Sequence, residues 1–401
     1  MLVMGIVAEY NPFHNGHRYQ LKKCMQISGA THCVVVMSGA FTQRSEPALL
    51  AKSARAEAAL SGGADLVLEL PVPYSTATAE IFADRAVCLL WATGLVNVLG
   101  FGSECGDIAP LWEAARALES PRVSAAVPEE LCAGISYAAA RQRAAARVLG
   151  EAGAAVLSGP NNLLGVEYLR AILRRGLSMQ AVTVERHGAG HHSLHASEGF
   201  ASAGHIRRLV ASDCERFYEL MPAESARILE RELKSGRALT NTTPLERAML
   251  AKLRLCEKEA FAGLFDAAEG LHNRMYEGVR KAGSLAGLCA YVKSKRYALS
   301  RIRRMALHAF LGVGALDVRA EPQYVRVLAF NERGRELLAL MRKKSALPVL
   351  TRAAGLRELS PKGRRIFELE AAACDIRGLF CPQPQPFGLD FRSNPLYSEG
   401  C

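Results

Sequence analysis

Five short apolar runs punctuate the first two hundred residues: Leu2–Val7, Cys33–Met37, Leu66–Leu70, Val96–Phe101 and Ala181–Val184. None alternates apolar with polar residues, so each predicts a strand buried on both faces. Between them lie stretches with helical spacing, such as "RSEPALLAKSARAEAALSGG" and "NNLLGVEYLRAILRRG", that end near glycine, a helix-stop signal. This alternation predicts an α/β fold: a Rossmann-like parallel sheet with helices on both faces. Ligands of such sheets lie at the carboxyl ends of the strands.

The turn after the first run reads "NPFHNGH", Asn11 to His17, and leads into the helical pattern "RYQLKKCM". Asn11 and Pro12 supply turn chemistry, and Gly16 lets the backbone approach a ligand closely. A helix N-terminus presents free N–H groups and the positive end of its dipole, an anion site. His14 and His17, three residues apart, flank it and can donate hydrogen bonds to phosphate. Two alternatives stay open for such a pair: histidines satisfied in a polar turn, or metal ligands.

Beyond residue 186 comes a Gly/His/Ser-rich loop, "HGAGHHSLHASEGFASAGH". Its histidines are irregularly spaced, with no cysteine or paired carboxylate, which argues against a metal site. From Ile206 to Gly312 the pattern is helical. A small α/β end follows, with the strand-like runs "PQYVRVLAFN" and "ALPVLTRA", then a Pro-rich tail expected to be irregular. The division expected is residues 1–210 as a nucleotide-binding catalytic domain and 211–401 as a mainly helical region with that α/β end.

The net charge of +11 points to a polyanionic partner, a nucleic acid before an acidic membrane surface. The uncharged stretch Ala86–Ser103 is long enough to raise a membrane question, but Thr93-Gly94 and Asn97 make it a helix end, a tight turn and a buried strand. The N-terminus lacks the pattern of a secretory signal, and the eleven cysteines contain no Cys-x-x-Cys. Together these favour buried thiols in a reducing cytoplasm, with no membrane and no stable protein partner.

The strand, the Asn-Pro-Phe-His-x-Gly-His turn and the helix resemble the phosphate-binding signature of HIGH-motif nucleotidyltransferases. "SAGHIRRL", Ser202 to Leu209, resembles the second phosphate-binding motif of that superfamily. It departs from the usual pattern at Gly204, where a small polar residue is common. Further segments appear in order: "VMSGAFTQRSEPALLAKSARAEAAL", "GADLVLELPVPYSTATAEIFADRAV", "FGSECGDI", "GPNNLLGVEYLRAI", "VKSKRYALSRIRRMALHAFL" and "PQYVRVLAFNERGRELL". Together they resemble the bacterial tRNA(Met) cytidine acetate ligase family, from Gly5 to about Leu338.

That resemblance implies a ligase that uses ATP, with Mg²⁺ on the nucleotide, to convert acetate into acetyl-adenylate. The acetyl group then passes to N4 of the wobble cytidine of elongator tRNA(Met), giving N4-acetylcytidine. It implies that ATP is held by Val7, Ala8, Glu9, Tyr10, Asn11, Pro12, Phe13, His14, Asn15, Gly16, His17, Arg18, Tyr19 and Gln20, with Gly102, Asn161, Arg186 and Ser202. His14, His17 and Arg207 are the expected catalytic groups. Asn161 also suits a helix N-cap. Gln43, Arg44, Lys52 and Arg55 are expected to line the active-site side.

Between Arg280 and Arg304 there are eight Lys/Arg and no acidic residue. Lys293, Lys295, Arg296, Tyr297, Arg301, Arg303 and Arg304 are the expected tRNA contacts, cations for phosphates and a ring for a base. Two other function classes compete: an adenylyltransferase acting on a small phosphorylated acceptor, and a non-catalytic tRNA-binding protein.

Overall fold

The computed structural model of the chain describes residues 1–186 and 199–399. Its strands run β1 (Val3–Ala8), β2 (His32–Ser38), β3 (Leu66–Leu70), β4 (Val98–Ser103), β5 (Gln180–Glu185), β6 (Val325–Phe330), β7 (Val349–Leu350) and β8 (Leu396–Tyr397). The sheet order is β5-β4-β1-β2-β3-β6-β7, with β8 on β6. The five strands expected from the apolar runs are parallel to one another.

Burial explains their unbroken hydrophobicity. Val34 and Val36 of β2 join one core cluster, with Leu66, Leu68 and Phe101. Val35 and Met37 join the cluster on the opposite face, with Met4, Ile6 and Val67. Covered on both sides, these strands are apolar except where a polar group has a buried partner, as Glu69 of β3 has in Lys52. The uncharged stretch resolves into the end of the helix Ala79–Ala92, a turn with Gly94 at φ +69° and β4. Among the described residues no helix is long and apolar enough to cross a membrane.

The region after residue 202 is helical up to Leu311, as its periodicity predicts, and most of its helices bury their apolar stripes in a third cluster built around Met275, Leu288, Ile302 and Met305. The chain then returns to the first sheet. β6 lies antiparallel to β3, with Leu66 opposite Phe330 and Leu68 opposite Val327. The α/β end is therefore an extension of the nucleotide-side sheet.

The tail is not wholly irregular. It carries a turn of 3₁₀ helix, Leu389–Phe391, that delivers Asp390 into a buried charge cluster. There Lys52 pairs with Glu69 and lies 2.5 Å from Asp390, while Arg326 reaches Asp390 at 2.8 Å and Glu69 at 3.2 Å. Glu370 closes the cluster, accepting from the backbone N–H of Ala40 and of Val72. Glu370 also lies 3.6 Å from Lys52, so five separate stretches of chain are joined by ionic contacts shielded from water.

Removing one partner of a buried ionic cluster strands the others and typically costs about 3–5 kcal/mol. Lys52→Met is expected to lower unfolding stability on that scale, measured as a shift of the urea midpoint at pH 7.

Candidate active site

The site begins where β1 ends. Tyr10 takes a left-handed φ of +48°, the Asn11–Pro12 peptide is cis, and His14 is the N-cap of the helix Asn15–Ser28. His14 Nδ1 accepts from the Gly16 N–H at 3.1 Å, and His17 Nδ1 accepts from the His14 N–H at 3.3 Å. This is a capping box built from two imidazoles. The rings stack with centroids 3.7 Å apart. A side chain at position 16 would press on the His14 ring at 2.9 Å, so the close turn needs glycine there.

The capping bonds assign the tautomers. With Nδ1 an acceptor in both rings, each neutral imidazole carries its proton on Nε2. Burial keeps them neutral. It lowers the pKa of His14 to about 3, with the Arg186 charge adding to the effect. It also holds His17 well below its ordinary value, helped by His14 and Arg186. The turn therefore presents two neutral N–H donors.

Around them the structure gathers most of the expected residues. Tyr10 and Phe13 stand edge-on at 4.7 Å, and Tyr10 meets the His17 ring at 4.9 Å. Val7 and Ala8 end β1, and Pro12 is buried in the turn beside Phe13. The Glu9 carboxylate accepts from the Gln43 N–H at 2.7 Å, and burial raises its pKa. The Asn11 side chain accepts from the Leu49 N–H at 2.8 Å, and its buried Nδ2 has no acceptor among the described residues. Asn15 Nδ2 donates to the carbonyls of Gly199 and Glu219, both at 3.1 Å, and Tyr19 meets Phe200. Arg18 lies one turn into the helix.

Gly102, the next-to-last residue of β4, faces Arg186 and Gln20: a Cβ there would lie 3.1 Å from Arg186 Cγ and 3.6 Å from Gln20 Oε1. Ser202 is the N-cap of the helix Ala203–Ala211, accepting from the His205 N–H at 3.2 Å. Arg207, one turn on, donates to the Asn11 carbonyl at 2.9 Å. The second motif thus docks directly on the first. Residues 187–198 of the His-rich loop lie outside the described residues.

Asn161 is not an N-cap. That position belongs to Gly159, and Asn161 occupies the first turn, donating to the Glu104 carboxylate. Glu104 also accepts from the backbone N–H of Asn161 at 3.0 Å and of Asn162 at 2.6 Å, and Asn162 Oδ1 returns a bond from the Glu104 N–H at 2.8 Å. Burial would raise the Glu104 pKa, but these hydrogen bonds outweigh it and hold the group low. Sequence reasoning missed Glu104; the signal was an acid directly after the strand-ending "FGS".

Two expected cations have structural partners instead. Lys52 belongs to the buried cluster. Arg55 is fully buried and donates to the carbonyls of Glu9, Ser38, Gly39 and Leu50.

The basic segment divides likewise. Lys293, Lys295 and Arg296 are exposed on the loop between the helices Leu285–Val292 and Leu299–Leu311. Tyr297 is buried with its hydroxyl on the Glu269 carbonyl, so its ring is not offered to a base. Arg304 is buried in a bidentate pair with Asp266 at 2.5 and 3.1 Å, and Arg301 is held by Glu269 at 2.7 Å and neighbouring carbonyls. Arg303 faces Glu46 at 3.2 Å.

A parallel sheet, a histidine-capped helix at its carboxyl edge and a second basic motif docked on that turn define a nucleotidyltransferase site. Residues 1–387 match the family model described as HIGH Nucleotidyl Transferase. The tRNA(Met) cytidine acetate ligase of Syntrophomonas wolfei is 36% identical over 414 aligned positions, covering 99% of each chain. The crystal structure of apo Thermotoga maritima TmcAL superposes with a TM-score of 0.94 at 36% identity over the whole of both chains. The form bound with alpha-thio ATP superposes at 0.92 and 35%. The chain belongs to the tRNA(Met) cytidine acetate ligase family.

Two outcomes follow from this geometry. The depressed His14 pKa means that the unfolded chain binds a proton below pH 6.5 that the folded chain refuses until about pH 3. Stability is full above 6.5 and falls as the pH drops, by about 1.4 kcal/mol per pH unit for one such histidine. The urea midpoint is expected to fall between pH 7 and pH 5, and to fall less in His14→Asn. Arg304→Ala is expected to destabilise the fold, whereas a Lys293/Lys295/Arg296→Ala triple variant keeps its melting temperature and changes only anion binding, read by the salt dependence of RNA affinity.

Proposed function

We propose that this chain is a ligase that activates acetate with ATP and acetylates N4 of the wobble cytidine in elongator tRNA(Met). The observation that carries this reading is the pair of neutral, stacked histidines capping the first helix, with Arg207 docked on the same turn. Weak nucleophiles need an activated acyl group, and an adenylate provides one.

In the first step an acetate oxygen attacks the α-phosphorus of ATP and pyrophosphate leaves. His14 and His17 donate from Nε2 to phosphate oxygens as charge builds on the phosphorus, and Arg207 neutralises that charge. Because the donors are neutral, they do not hold acetate in a competing ion pair. The helix N-terminus adds its free N–H groups. Gly102, Asn161, Arg186 and Ser202 complete the nucleotide site, with the chain from Val7 to Gln20. Mg²⁺ would come with the nucleotide rather than on a protein site, and would screen the phosphate charge.

In the second step the cytidine N4 attacks the acetyl carbonyl carbon, AMP leaves and the amine gives up a proton. Residues 1–210 carry the nucleotide chemistry. The helical region within 211–401 holds the RNA through Lys293, Lys295, Arg296 and Arg303, and the tRNA substrate places the reaction in the cytoplasm.

The test is nucleoside mass spectrometry of unmodified elongator tRNA(Met) after incubation with the protein, ATP, Mg²⁺ and acetate. An acetyl mass gain on cytidine that requires acetate is expected. His14→Ala or His17→Ala is expected to lower the rate by about 10²–10³, the usual loss for one transition-state donor. Acetate-independent pyrophosphate release with a small phosphorylated acceptor, and no acetylcytidine, would replace this reading by a plain adenylyltransferase.

A further inference from the structure

Glu46 stands between two arginines from distant parts of the chain. Its Oε2 lies 3.2 Å from Arg207 of the second motif, and its Oε1 lies 3.2 Å from Arg303 of the basic helix. One carboxylate thus uses one oxygen for the nucleotide side and the other for the RNA side. Arg207 also donates to the Asn11 carbonyl, so Glu46 and that carbonyl together set the plane of its guanidinium.

Stability does not account for the arrangement. The three side chains are 29–39% exposed, and pairs at that exposure contribute about 0–1 kcal/mol each. Yet the backbone at Glu46 is held tightly. The Thr42 N–H bonds the Glu46 carbonyl at 2.9 Å, the Ser45 N–H bonds the Thr42 carbonyl at 2.8 Å, and the Ala48 N–H bonds the Ala40 carbonyl at 2.9 Å. Ser45 adopts a left-handed φ of +61° to close this turn, a conformation that a residue with a Cβ takes at some cost. The three side chains together carry one surplus positive charge, the sign that suits a phosphate oxygen.

We infer that Glu46 is a positioning residue that ties the nucleotide-side Arg207 to the RNA-side Arg303 and sets the spacing between the acetyl-adenylate and the tRNA. This rests on the proposed function. Glu46 touches neither reacting atom; it acts through both arginines. Linkage through one shared carboxylate requires that loss of Glu46 and loss of its RNA-side partner Arg303 have the same consequence.

The test uses the full chain and two assays: acetate-dependent ATP–pyrophosphate exchange without RNA, and acetylation of an elongator tRNA(Met) transcript. E46Q and R303Q are each expected to raise the KM for tRNA about tenfold, and the double variant is expected to be no worse than either single one. E46D is expected to recover part of the loss, while the urea midpoints of all variants stay at the wild-type value. A tRNA KM within twofold of wild type in E46Q, or single effects that multiply in the double variant, would overturn the inference. Should E46Q not fold, E46D with and without R303Q takes its place, and effects on the tRNA KM that multiply there exclude the bridge. A wild-type protein that exchanges pyrophosphate but makes no acetylcytidine would remove the functional reading and this inference with it, whereas acetylation with additive variants removes only the bridge.

Discussion

The buried guanidinium of Arg55 organises the catalytic edge of the sheet. Strand ends leave carbonyl oxygens without ladder partners, and a buried carbonyl without a donor is costly. Arg55 supplies donors to three of them, on Glu9, Ser38 and Gly39, and to the carbonyl of Leu50 in the segment that follows. Burial, with Arg377 nearby, lowers its pKa to about 10, which still leaves it charged at neutral pH. It thereby joins the ends of β1 and β2 to the segment that follows, and the histidine turn hangs from that junction. A neutral side chain of the same length has no comparable set of donors.

From this junction the site is assembled by contacts between motifs rather than within them. Arg207 grips the Asn11 carbonyl, Asn15 grips the backbone at Gly199, and Glu9 accepts from Gln43. The two histidines cap their own helix and so fix which nitrogen bears the proton. Burial then keeps that proton count constant across the physiological range. The site thus offers donors without titrating, which suits a reaction whose charge changes occur on the substrate.

Much of the architecture was legible in the chain. Unbroken apolar runs identified the five parallel strands, because a strand covered on both faces has no polar alternation to display. The Asn-Pro-Phe-His-x-Gly-His turn marked the site, because proline, glycine and a helix start are local signals. Other features were not legible because they depend on partners far away in sequence. The antiparallel pairing of β6 with β3 joins Phe330 to Leu66. Asp390 enters its buried cluster from a Pro-rich tail with no regular pattern. Nor does a basic run state which of its cations already has an acid: Arg304 has Asp266, while Lys293, Lys295 and Arg296 remain exposed.

The sequence by itself determined the fold class, the position of the histidine turn and the basic character of the helical region, since periodicity, turn chemistry and net charge are properties of neighbouring residues. Only the tertiary structure decided the roles of individual charges. It turned Lys52 and Arg55 into buried supports, withdrew Tyr297 from the surface and placed Glu46 between two arginines. Whether a charge is a support or a ligand depends on what lies within about 4 Å of it and on how much water it has lost.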